Sequence, residues 1–175
     1  MQIRCSIQMG DVQKKIVLVS QTNETPQLLA LKLAAYILFL DYNPYLELSA
    51  KNPALAGQEF RPDILALDES GAIKLWVECG NTTTNKLDKL IRRYREARIA
   101  VLKAYPHETE NLRRHLEKNE VLHSHRIEVW SFPEGVFDDW YNALGETVDV
   151  VGEHSDRSFN LVMNSVPFCF DFLKA

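Results

Sequence analysis

A chain of 175 residues with 46% hydrophobic and 25% charged side chains is expected to form one globular domain over residues 1–175, burying about 70% of its extended surface. That composition excludes long disorder, and the longest apolar stretch, Leu28 to Leu40, is interrupted by Lys32 and too short to cross a bilayer. A formal net charge of -4 excludes indiscriminate nucleic-acid binding through a globally basic surface, so such a contact needs a local positive patch.

Residues 1 to 9 alternate as a strand, with Ile3, Cys5 and Ile7 against Gln2, Arg4, Ser6 and Gln8. No basic start followed by an apolar run is present, so a signal peptide is not expected and the default location is cytoplasmic. Residues 12 to 20 supply a second strand, joined to the first at Met9-Gly10-Asp11 as an antiparallel hairpin. Thr25 and Pro26 then open a helix as cap and first residue. That helix, running through Leu28, Leu31, Ala35 and Ile37 to Leu40, is apolar nearly all round and is expected to lie centrally. Residues 42 to 60 carry Pro44, Pro53 and Gly57 and read as an irregular connection with a short strand at Tyr45-Leu46-Glu47-Leu48.

Next come two apolar strands, Asp63-Ile64-Leu65-Ala66-Leu67 and Ala72 to Glu78, reversed by Asp68-Glu69-Ser70-Gly71. The cap-rich segment Asn81-Thr82-Thr83-Thr84-Asn85 predicts a long helix from about Lys86 to Ala104, with Leu87, Leu90, Ile91, Tyr94, Ala97 and Val101 buried and a basic outer face. Pro106 ends it, and Glu108 to Asn119 reads as a shorter polar helix. A strand at Arg126 to Phe132 and a short helix at Val136 to Ala143 follow. Residues 146 to 153, 158 to 163 and 166 to 172 predict a closing antiparallel meander. Cys5, Cys79 and Cys169 are odd in number, lack Cys-x-x-Cys spacing and read as buried small hydrophobes.

Chemistry is expected at Asp63 and Glu78. With Leu67 opposite Ala72, Asp63 faces Trp76 and Glu78 is its diagonal neighbour on the same sheet face, with Cα atoms roughly 7 to 8 Å apart. Two such charges repel by about 1 to 4 kcal/mol at 4 Å, which a divalent cation or a shared proton relieves. Oxygen ligands of this kind suit magnesium. A register shifted by one residue would instead put the acids on opposite faces. The plainer readings are a turn acid for Asp63, a strand-end acid paired with Lys74 or Lys89 for Glu78, and solvated helix residues for Lys86 and Lys89. Glu96 with Arg92 or Arg93 reads as ordinary intrahelical pairing. His123 and His125 share a face of an incoming strand without a third ligand at a usual interval and read as solvated. Trp76, Trp130 and Trp140 suit either base stacking or the core, with Trp76 projecting toward the acids.

Glu24-Thr25 leading into Leu28 to Tyr36, then Arg61-Pro62-Asp63, Leu75-Trp76-Val77-Glu78-Cys79-Gly80 and Asn85-Lys86-Leu87-Asp88-Lys89, resembles the YaeQ-like family of small bacterial proteins within the PD-(D/E)XK nuclease superfamily. The resemblance implies an α/β fold with a mixed, mostly antiparallel sheet flanked by helices around a restriction-endonuclease-like core. It implies magnesium or manganese held by Asp63 and Glu78, with Glu24 completing the shell through water. The superfamily's lysine two residues after the glutamate is Gly80 here, so the likeness points to a displaced lysine from the following helix, Lys89 by position or Lys86 one turn earlier. The implied activity is a metal-dependent phosphodiesterase acting on nucleic acid, with Arg92 and Arg93 on the basic helix contacting phosphates. The alternative is a domain that keeps the nuclease-like core but binds nucleic acid or a protein without cleaving.

Overall fold

The computed structural model describes residues 1–175. Its elements are β1 (Gln2–Met9), β2 (Val12–Val19), α1 (Pro26–Leu38), β3 (Tyr45–Leu46), β4 (Ile64–Leu67), β5 (Ile73–Cys79), α2 (Thr84–Arg93), β6 (Arg98–Lys103), α3 (Pro106–Lys118), β7 (Ile127–Ser131), α4 (Val136–Asn142), β8 (Thr147–Ser155), β9 (Ser158–Met163), β10 (Val166–Asp171) and β11 (Leu173–Lys174). Two sheets form where one was expected: β10-β9-β8-β1-β2 and β11-β7-β6-β5-β4-β3. Antiparallel ladders predominate, but β8 runs parallel to β1, and β5, β6 and β7 are mutually parallel. The result is a mixed α/β fold with four helices, none of them long and apolar enough to cross a membrane.

Layering explains the sequence pattern of α1. Its residues from Leu29 to Leu38 are all buried because the inner face of the first sheet covers one side and the second sheet covers the other. One continuous core therefore joins Ile3, Val148 and Met163 of the first sheet, α1, and Ile64, Val77 and Leu102 of the second. The opposite face of the second sheet packs Leu65, Trp76, Ile99 and Val129 against Leu87, Leu90 and Ile91 of α2 and Leu112 and Leu116 of α3. Thr25 caps α1 by accepting the Leu28 N–H at 3.3 Å, with Pro26 at the first helical position as expected.

The expected helix from Lys86 to Ala104 is instead a helix and a strand. α2 stops at Arg93, and β6 enters the sheet between β5 and β7. A central parallel strand is buried on both faces, so Ile99-Ala100-Val101-Leu102 is a continuous apolar run, which helical and strand readings share. Arg98 and Lys103, which fall within the expected helix, therefore lie on β6, and Glu96 lies beyond α2. The β4–β5 hairpin closes where expected, with the Asp68 N–H donating to the Ala72 carbonyl at 2.8 Å and Gly71 at a φ of 82°. Its register differs: Leu65 opposes Trp76 and Ile64 opposes Val77, with an irregularity between Ala66 and Leu67. The displacement is one residue at Leu67 and two from Ala66 to Ile64, and Asp63 lies just ahead of the paired residues.

Two smaller expectations also change, and the core reading of the tryptophans is the one that holds. His123 and His125 lie in a turn before β7, His123 in the left-handed region at φ 62°, and so do not share a strand face. Cys5 and Cys79 are buried but Cys169 is exposed on β10, because alternate residues of this edge strand face solvent. Trp76, Trp130 and Trp140 are all buried in the core.

Candidate active site

The acids sit where the β4–β5 ladder opens. Glu78 stands near the end of a strand covered on both faces and is only 3% exposed. Its Oε1 accepts the Trp76 indole N–H at 2.6 Å, and its Oε2 accepts from Lys86 Nζ at 2.7 Å. Trp76 is fixed in turn by stacking on Tyr94, with ring centroids 5.6 Å apart. Lys86 lies in the first turn of α2, where Thr83 caps the helix by accepting the Lys86 N–H at 3.1 Å. The cap-rich segment thus aims that lysine back across the end of β5.

Asp63 uses both carboxylate oxygens. Oδ2 accepts the Cys79 N–H at 2.7 Å, and Oδ1 lies 3.4 Å from Lys32 Nζ. Lys32 is the unexpected member. Its ammonium, almost fully buried, donates to Glu24 Oε1 and Glu47 Oε1, each at 2.6 Å. Glu24 is steadied by the Gln21 N–H at 3.0 Å and Glu47 by Gln21 Nε2 at 3.1 Å. Lys32 and Glu47 were missed by sequence reasoning. The available signal for Lys32 was a lone charge inside a helix apolar all round, which demands a buried partner; Glu47 carried none beyond its place in an irregular connection.

Burial dominates the electrostatics of both acids. It raises the Asp63 carboxyl above its ordinary range, against the Cys79 N–H and the charges of Lys32 and Lys86. Glu78 is also raised by burial, opposed by Lys86 and the Trp76 N–H and reinforced by the negative charge of Asp63. For Lys32, burial lowers the pKa, but the bonds to Glu24 and Glu47 and the charge of Asp63 outweigh it, so the ammonium is held charged. A cavity of about 610 Å³ opens on the Lys32 side of the site, walled by Glu24, Lys32, Glu47, Asp63 and the exposed cations Lys51 and Arg61, while Glu78 and Lys86 lie off its wall.

The other candidate residues lie further out. Lys89 pairs with Glu59 at 2.7 Å and is half exposed, whereas Lys86 is the lysine brought to Glu78. Arg92 pairs with Asp88 at 3.0 Å on the same helix. Arg93 holds the preceding loop, donating to the carbonyls of Ala56 and Gly57 at 3.1 Å each. Arg98 forms a two-pronged pair with Glu128 on β7, and Lys103 is buried on β6.

The donor set fits a hard divalent cation in its chemistry. Asp63, Glu78, Glu24 and Glu47 offer oxygen alone, and against Lys32 and Lys86 they leave two negative charges. No group of three or more His, Cys, Asp and Glu side chains is arranged to hold a metal ion. An ion here would draw on Asp63 and Glu78 and fill its shell with water or substrate oxygens, which is how magnesium is commonly bound.

Comparison with known proteins places the chain. A family model described as YaeQ protein matches residues 3–164. A search of curated proteins finds no match. Among solved structures, the YaeQ protein from Xanthomonas axonopodis pv. citri superposes with a TM-score of 0.72 at 17% identity, covering 99% of this chain and 96% of that one. The YaeQ protein from Pseudomonas syringae does so with a TM-score of 0.71 at 10% identity, over 99% of this chain and 93% of that one. Such identities speak to the shared fold, and the family-model match over nearly the whole length speaks to descent: the chain belongs to the YaeQ family.

Proposed function

We propose that this protein is a magnesium- or manganese-dependent phosphodiesterase of the PD-(D/E)XK type, acting on nucleic acid. The observation that carries the reading is the placement of a half-buried carboxylate, Asp63, and a buried one, Glu78, at the same end of one hairpin, with Asp63 on the Cys79 N–H next to Glu78 and the Lys86 ammonium 2.7 Å from Glu78. Burial makes each carboxylate hard to ionise alone, a tension that a neighbouring cation relieves. Asp63 and Glu78 would hold the ion, with Glu24 reaching it through water. When bound, magnesium polarises a phosphoryl oxygen and lowers the pKa of the attacking water.

The remaining work falls to the chain itself. Lys86, 2.7 Å from Glu78 Oε2, is placed to offset negative charge developing on the phosphoryl group and to orient a water at the same carboxylate. Trp76 locks the other Glu78 oxygen, so the carboxylate presents one defined edge. Arg61 and Lys51 on the cavity wall supply exposed cations for flanking phosphates, with Arg92 on the adjoining helix. This local patch is compatible with a chain of net charge -4 because it is confined to one mouth of the molecule.

One observation favours the alternative of a non-cleaving module. Both oxygens of Asp63 and of Glu78 already face donors from the chain, so the cluster is internally satisfied. The deciding experiment is incubation with single- and double-stranded DNA and RNA in magnesium or manganese, using wild type, Asp63→Ala and Glu78→Ala. Metal-dependent cleavage abolished by both substitutions is the expected result. Salt-sensitive binding without cleavage would overturn the enzymatic reading in favour of the module.

A further inference from the structure

Lys32 sits where the surrounding chemistry asks for an ion. It is 1% exposed on a helix whose neighbours from Leu29 to Leu38 are buried as well, so its charge is met by the chain rather than by bulk water. Three acids from three separate stretches of chain meet its ammonium: Glu24 ahead of α1 and Glu47 after β3, each at 2.6 Å, and Asp63 ahead of β4 at 3.4 Å. Carboxylate oxygens converging on one point from several elements are the donor pattern of a hard divalent cation. Here the point is held by a cation that is part of the chain.

We propose that Lys32 is a built-in cation. Its ammonium permanently occupies a position that, in its absence, takes a divalent ion, and it thereby limits the native site to a single exchangeable ion next to Asp63 and Glu78. Lys32 is on this account a positioning residue. It draws Glu24, Glu47 and Asp63 into one cluster and turns Asp63 so that its second oxygen meets the Cys79 N–H at 2.7 Å. The claim about one native ion rests on the phosphodiesterase reading; the claim about the Lys32 position does not.

Charge makes the prediction sharp. With Lys32 present, four carboxylates face two ammonium groups, and one divalent ion completes neutrality. Without it, four carboxylates face Lys86 alone, a net of three negative charges, and the vacated volume is ringed by three acids. Drawing those oxygens in to roughly 2.1 to 2.5 Å requires small shifts of Glu24 and Glu47 and a larger one of Asp63. Glu47 has the freedom to move, since its side chain is 35% exposed.

The test is manganese titration, followed by the electron paramagnetic resonance of free and bound ion and by thermal unfolding, on wild type, Lys32→Ala and Lys32→Ala/Glu47→Gln. Wild type is expected to bind one manganese and Lys32→Ala two. The single variant should unfold at lower temperature without metal and recover with manganese by more than wild type gains. Adding Glu47→Gln should weaken the second ion by about tenfold or more, since affinity at such sites follows the ligand charge count. Two ions on wild type, an unchanged ion count in Lys32→Ala, or a Lys32→Ala protein that stays unfolded in millimolar manganese would each overturn the inference. If wild type binds no manganese while Lys32→Ala binds one, the metal-dependent function falls and the Lys32 assignment stands. If both bind one, the reverse holds.

Discussion

Removing Lys86 is the most direct probe of how Glu78 is kept. In Lys86→Met the carboxylate loses the ammonium 2.7 Å from Oε2 and keeps only the Trp76 N–H, while remaining 3% exposed. Breaking a buried pair by deleting one partner costs about 3 to 5 kcal/mol, and the partial exposure of Lys86 argues for the lower end, about 3 kcal/mol. For a domain of this length that corresponds to a drop in Tm of about 6 to 12 °C. The sign of the pH dependence follows from burial, which already raises Glu78 and is opposed first by Lys86. With the lysine gone, the folded-state pKa climbs further above the unfolded value of about 4.3, so the native state binds the proton first. Stability of the variant therefore recovers as pH falls through the folded-state pKa and is lost as pH rises through it. Denaturant unfolding in chelator at pH 7.5 and pH 5 should show the gap to wild type narrowing at the lower pH. Glu78→Gln/Lys86→Met should regain most of the loss, giving a coupling energy of about 2 kcal/mol. A gap that is independent of pH, or below about 1 kcal/mol, would refute the claim that Lys86 neutralises a buried charge.

Further outcomes follow from the same geometry. Trp76→Phe removes the indole N–H 2.6 Å from Glu78 Oε1 and should destabilise by about 2 kcal/mol in denaturant titration; a neutral result would show that this hydrogen bond is dispensable. Asp63 and Glu78 are both raised by burial, and an ion must displace their protons, so calorimetric manganese affinity should increase with pH above the ordinary carboxylate range; a flat profile would place the ion elsewhere. Lys103 is held below its ordinary pKa by burial, so wild type should gain stability with rising alkaline pH, by at most about 1.4 kcal/mol per pH unit, where Lys103→Met should not. Gly152→Ala puts a Cβ 2.4 Å from the Asn160 carbonyl oxygen and Leu161 Cα across the β8–β9 ladder, and should lower Tm by about 5 °C or more, measured by thermal scan.

What the sequence revealed depended on whether the deciding contact was local. The hairpin carrying Asp63 and Glu78 was legible because its turn chemistry lies between two apolar runs, but its register was not, and the acids draw their partners from different helices, Lys32 of α1 for Asp63 and Lys86 of α2 for Glu78. The boundary between α2 and β6 was not legible, because the segment from Lys86 to Ala104 contains no glycine or proline and is rich in helix formers. Only the unbroken run Ile99-Ala100-Val101-Leu102 contradicts a helix with one polar face, and it acquires its meaning from β5 and β7 on either side. That strand has a consequence for the site. By ending α2 at Arg93, it leaves the helix only three turns long, with Lys86 at the end of β5, Lys89 and Arg92 further along the same short helix, and Arg98 paired with Glu128 in the sheet. The positive wall is thereby shorter than a continuous helix would make it and is supplemented from the irregular connection by Lys51 and Arg61. A nucleic-acid contact built this way spans few phosphates, so any binding should show a shallow dependence on salt, with a logarithmic slope of about -2 to -4. A slope as steep as that of a long basic helix would mean that the contact surface lies elsewhere on the molecule.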